Sequence, residues 1–115
     1  MTKQNILLTK QHLLDLLKQE GAYWSYDKGS VTAETVSDER LIADVMRYLD
    51  LQEIDMLFKM YSSAKIKKAW LDLLVPEGDY LYSLNRFFAW YYFDIKRPSQ
   101  YLKSMQTRRI NRLFS

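Results

Sequence analysis

Phe87-Phe88-Ala89-Trp90-Tyr91-Tyr92-Phe93 runs seven residues without a polar break, and how it is read decides the fold. With no glycine or proline inside it, the segment extends naturally into a helix over about residues 80–93. Tyr80, Leu84, Phe87, Phe88 and Tyr91 then share one face at spacings of one, three and four. Ala89, Trp90 and Phe93 make the opposite side of its second half apolar as well. A helix apolar all round is either central to a core or covered by a partner. Central burial is the expectation here, with Trp90, Tyr92 and Phe93 left as the candidate outward contacts.

Downstream, the chain turns strongly basic. From residue 95 to the end it carries Lys96, Arg97, Lys103, Arg108, Arg109 and Arg112 and no acid, a charge of +6 against +3 for the whole chain. Pro98 fits the first turn of a last helix, where a missing N–H costs nothing. On that helix Arg108, Arg109 and Arg112 fall within one turn of each other. They suit phosphates or a partner's carboxylates, or they complement the helix dipole at about 0.3–1 kcal/mol each. Arg109 falls inside the arc shared by Tyr101, Leu102, Met105 and Leu113, which means snorkelling or pairing at an interface. A membrane-surface helix should segregate its faces, and this one does not.

Upstream, the pattern is helical throughout. A first helix is expected over about residues 9–20, capped by Thr9, bearing Leu13, Leu14, Leu16 and Leu17, and stopped by Gly21. Residues 23–26 and the Gly29-Ser30 turn are the one place where extended structure is expected. Ser37 or Asp38 caps a helix with Leu41, Ile42, Val45 and Leu49. Asp50 and Glu53 have the form of a capping box opening the next, with Ile54, Leu57, Phe58 and Tyr61. A helix over about residues 63–74 follows, ended by Pro76 and the Glu77-Gly78-Asp79 turn, with Asp79 expected to cap the aromatic helix. The expected fold is therefore all-α: one domain over residues 1–115, a compact bundle of five to six short helices, with residues 95–115 as a basic C-terminal helix.

Composition narrows the function classes. A chain of 115 residues can bury about two-thirds of its unfolded surface without metal or disulfides. The absence of cysteine removes disulfides, thiolate catalysis and Cys-ligated zinc, and fits a reducing cytoplasm. No secretory h-region or apolar run of about 20 residues is present, so no membrane segment is expected. The single histidine, His12, lies among Lys10, Gln11 and Asp15 and reads as a surface residue. Asp38, Glu39 and Asp44 form no complete metal-ligand set, and Asp72, Glu77 and Asp79 read as caps or solvated charges. No phosphate-loop or dinucleotide glycine pattern occurs, and no paired aspartates follow Gly29-Ser30. No catalytic residue, cofactor or metal is expected, and the chain is read as not an enzyme.

Two further binding readings remain. Residues 52–74 can be read as helix, short turn, helix, placing Lys65, Lys67 and Lys68 near the start of the second helix, where recognition helices face DNA. Lysines there hold phosphates but read little sequence, and no Arg, Asn or Gln accompanies them. A homodimer built on the aromatic helix is the other.

The segments Tyr23-Trp24-Ser25-Tyr26-Asp27, Met46-Arg47-Tyr48-Leu49-Asp50, Ile66-Lys67-Lys68-Ala69-Trp70, Leu74-Val75-Pro76, Ser83-Leu84-Asn85-Arg86 with the aromatic run, Ile95-Lys96-Arg97-Pro98 and Tyr101-Leu102-Lys103 follow one another in a telling order. In this order the chain resembles a group of small bacterial proteins of unknown function, common in Bacteroides-like genomes. They are often encoded beside nucleotidyltransferase-type toxins of abortive-infection systems. The resemblance spans about residues 23–112 and implies an antitoxin-like or regulatory partner of a neighbouring protein, with no catalytic residues. Trp90 and Tyr92 are then the expected anchors, with Arg108, Arg109 and Arg112 supplying charge.

Overall fold

The computed structural model describes residues 2–21 and 32–114. The described residues form helices and turns with no strand, so the all-α class read from the pattern is the class observed. The 23–26 segment and the Gly29-Ser30 turn, expected as extended, lie outside the described residues. Two compact units divide the chain, Met1–Ala69 and Trp70–Ser115.

In the first unit, α1 (Lys3–Gln19) starts well before Thr9. Thr2 is the cap, its hydroxyl accepting the Asn5 N–H at 3.2 Å, and the Thr9 hydroxyl donates to the Asn5 carbonyl at 2.8 Å inside the helix. No breaker lies between Lys3 and Leu8, so the helix continues back through Asn5 to Thr2. It stops as expected at Gly21, whose φ of +78° only glycine adopts freely. α2 (Asp38–Tyr48) is capped by Ser37, whose hydroxyl accepts the Arg40 N–H at 3.2 Å. Leu41, Ile42, Ala43, Asp44, Val45 and Met46 are all buried, and α2 packs on α1, α3 (Leu51–Met60) and α4 (Ser63–Ala69). It is the central helix of this unit. The Asp50–Glu53 capping box does not form: Asp50 makes no side-chain capping bond, and its carbonyl takes the Glu53 and Ile54 N–H groups at 3.1 Å. Ser62 accepts the Lys65 N–H at 3.2 Å and opens α4.

One carboxylate joins these helices. Asp38, in the first turn of α2, accepts from Lys10 Nζ of α1 at 2.7 Å, Lys65 Nζ of α4 at 2.7 Å and the Tyr61 hydroxyl at 2.9 Å. Burial alone would raise its pKa. The hydrogen bonds from Lys10, Lys65 and Tyr61 outweigh burial and hold the carboxyl at about 2, against an ordinary 3.8. Burial pushes the Tyr61 hydroxyl up, and its bond to Asp38 pushes it further. The bond to Asp38 likewise raises Lys65.

In the second unit a helical turn of π geometry, Trp70–Leu74, leads into two 3-10 turns over Val75–Leu81, broken at Gly78 (φ +62°, ψ −130°). Pro76 cannot donate back into the preceding turn, so regular α-helix cannot continue through it. α5 (Tyr82–Tyr91) follows, and α6 (Pro98–Phe114) opens at Pro98 as expected. Asp79 contributes only its carbonyl, to the Tyr82 N–H; no side chain caps α5. α5 buries Asn85, Phe88 and Ala89 and leaves Trp90 and Tyr91 60% and 53% exposed. Central burial of the aromatic helix is therefore corrected to burial on one face. Tyr80, placed on the inner face by spacing, is 83% exposed, because the chain at that point is still in the 3-10 turn.

The buried face closes on Trp70, which is fully buried. Its ring lies 4.8 Å from Phe93 and is parallel to Tyr101 within 3° at 6.3 Å. Removing a side chain of that size from water is worth roughly 4–6 kcal/mol as an upper estimate. Its indole N–H donates to Asn85 Oδ1 at 3.0 Å, and Asn85 Nδ2 donates to the Leu74 carbonyl at 3.1 Å. One amide thus satisfies a buried donor and a carbonyl at the change from π to 3-10 geometry.

Asn85→Leu leaves both groups unpaired in the interior and is expected to cost about 2–4 kcal/mol in urea unfolding, more than Trp70→Phe. Asp38 has a different signature. Its folded pKa lies below the ordinary value, so its stabilisation is full above about pH 4 and is lost as pH falls through about 2. After solvent screening the group carries about 1 kcal/mol, and Asp38→Asn is expected to flatten that part of the acid limb in pH-dependent unfolding.

Candidate binding surfaces

α5 turns a row of rings away from its buried face. Tyr82, Arg86 and Trp90 are four apart, so they stack along one side of the helix about 6 Å from one another. The Arg86 guanidinium lies 5.6 Å from the centre of the Tyr82 ring. Phe87, half-buried, stacks on Tyr91 at 5.1 Å and 13° and tilts against Trp90 at 6.4 Å. Ser83, Arg86, Phe87, Trp90 and Pro98 line a shallow cup of about 400 Å³. Tyr92, expected as an anchor with Trp90, is half-buried, its hydroxyl out of reach of solvent and its ring edge-on to Tyr91 at 4.8 Å. Tyr91 takes the outward place instead.

α6 has two halves. Tyr101, Leu102 and Met105 pack inward, whereas residues 106–112 are all exposed. Arg108, Arg109 and Arg112 all lie in that exposed half. Leu71, Val75, Pro76, Met105 and Ile110 floor a groove of about 580 Å³ with Arg109 at its edge. Asp72 and Arg112 complete the rim. The apolar arc containing Arg109 is thus real in its first three members; the Leu113 side chain lies outside the described residues. A second cavity of about 390 Å³ adjoins the groove through Val75, Gly78 and Gln106, with Asn85, Leu102 and Lys103 in its wall.

The aromatic and arginine residues expected to act together are therefore apart. Trp90 faces the first turn of α6 at Pro98, and Arg109 lies eleven residues further along it, about 16 Å by helical rise. The unit from Trp70 onward holds seven basic and four acidic residues, and the unit before it balances ten against ten. The net charge of the chain thus belongs to the unit carrying both surfaces.

The lysines form no comparable set. α3, the two-residue joint Tyr61-Ser62 and α4 follow one another as helix, short joint and helix, and α4 is only seven residues long. Lys65 is held by Asp38 and lies 5.1 Å from the Tyr61 ring centre, while Lys67 is half-buried and Lys68 exposed. His12 is exposed on α1. Among the described residues no group of three His, Cys, Asp or Glu side chains is arranged to hold a metal, and no helix is long and apolar enough to cross a membrane. Arg86, Phe87, Tyr91 and Pro98 were missed by sequence reasoning; the four-residue spacing of Tyr82, Arg86 and Trp90 was the available signal. No family model, curated protein or solved structure matches the chain.

Proposed function

We propose that this chain is a non-enzymatic cytoplasmic binding protein, the antitoxin-like or regulatory partner of a neighbouring protein such as a nucleotidyltransferase-type toxin. It docks an acidic segment of that partner along the second half of α6. The observation that carries this reading is Arg109 at the edge of an apolar groove floored by Leu71, Val75, Pro76, Met105 and Ile110. An exposed guanidinium over an apolar floor suits a segment with carboxylates on one side and apolar residues on the other. Arg108 beside it, on an exposed half-helix without acids, adds steering toward a negative surface. A second copy of the chain would bring the same arginines to the contact, which disfavours self-association through this groove.

Truncation after Pro98 is a poor test, because Tyr101 and Leu102 pack within the unit. Charge reversal at exposed positions avoids that. Co-expressed with the product of the adjacent gene, the chain is expected to elute as a complex. Arg108→Glu/Arg109→Glu should weaken that complex about 100-fold at unchanged thermal stability, measured by titration calorimetry. No complex, or equal affinity in the variant, contradicts the reading.

A further inference from the structure

The cup on α5 lies apart from the arginine groove and has a different chemistry. Every apolar group in it is a ring: Phe87, Trp90 and the pyrrolidine of Pro98, with Ser83 and Arg86 completing the wall. Among the described residues that line it there is no acid, and the one aliphatic group is the Pro98 ring. An exposed indole beside a guanidinium offers a stacking face and a cation side by side, which suits a flat ligand carrying negative charge. Trp90 is 60% exposed, the largest ring on this face, and Tyr91 and Tyr82 continue the exposed aromatic surface on either side. Arg86 lies midway between Tyr82 and Trp90 along the helix, so a cation alternates with rings. Lys96 and Arg97, both exposed, immediately precede Pro98 at the rim.

We infer that this face binds single-stranded nucleic acid, with a base stacked on Trp90 in the cup and adjacent phosphates held by Arg86, Lys96 and Arg97. Stacking platforms flanked by cations are how single strands are bound without sequence readout, because every base offers a π face. The cup is large enough, at about 400 Å³, to take a base and its sugar. The lysines of α4 have no part in this site, and neither does the groove at Arg109.

The test is fluorescence anisotropy of the full chain with labelled twelve-nucleotide oligothymidylate and oligouridylate at low salt. Binding is expected to weaken with salt, at a log–log slope of about −0.7 per phosphate held. Trp90→Ala is expected to weaken it about tenfold, the scale of one lost stack, and Trp90→Phe to restore most of the loss. An abasic strand of equal length is expected to bind wild type no better than the normal strand binds Trp90→Ala. Arg86→Glu should weaken binding and lower the salt slope. These differences should persist in the Arg108→Glu/Arg109→Glu background, which separates this site from the protein-docking groove. No binding at low salt overturns the inference. So do equal binding of abasic and normal strands, or a Trp90 dependence seen only with a protein ligand.

Discussion

The second unit depends on how the indole of Trp70 is accommodated. A fully buried N–H must be paired, and the carbonyl of Leu74 sits where helical geometry changes just before a proline that cannot donate. Asn85 serves both groups with its two ends. That requirement fixes the rotation of α5: the face holding Asn85, Phe88 and Ala89 must point inward, so the row of Tyr82, Arg86 and Trp90 must point outward. The exposed aromatics are a consequence of where one buried amide has to be. The Phe93 and Tyr101 contacts of the same indole seat the start of α6, and from there its second half projects its arginines.

The first unit is held differently. Its core is aliphatic, with leucines of α1 against the fully inward central run of α2, and one carboxylate closes three helices together. Because Asp38 occupies Lys65, a cation that sequence position offers to a nucleic acid is spent internally. The basic excess of the chain lies in the other unit. There, exposed Arg109 stands beside an apolar groove and exposed Arg86 beside aromatic rings.

Local signals carried much of the fold. Ser37 at the head of α2, Gly21 behind α1, Pro98 at the head of α6 and the break before Pro76 were all legible, because capping and proline act over a few residues. The start of α1 was missed because Thr2 and Thr9 are both competent caps and only continuity of the helix chooses between them. The orientation of α5 was not legible. Hydrophobicity alone puts tyrosine and tryptophan inside and asparagine outside, and the bonds that reverse this reach from Asn85 to partners 15 and 11 residues away. Asp38 likewise meets Tyr61 and Lys65 across 23 and 27 residues. The arginines of α6 were legible as a group, but their distance from Trp90 was not, since it depends on which face of α5 meets Pro98.

The two surfaces lie toward opposite ends of one helix, an apolar groove edged by Arg109 and a ring-lined cup beside Arg86, and the ligands proposed for them differ accordingly. Both follow from the burial of Trp70 against Asn85 with Trp90 turned outward. Hydrogen exchange of the indole N–H groups, followed by NMR, tests that arrangement directly. The Trp70 signal is expected to persist long after mixing into D₂O while that of Trp90 vanishes at once; a Trp70 indole exchanging as fast as Trp90, or a protected Trp90, contradicts it.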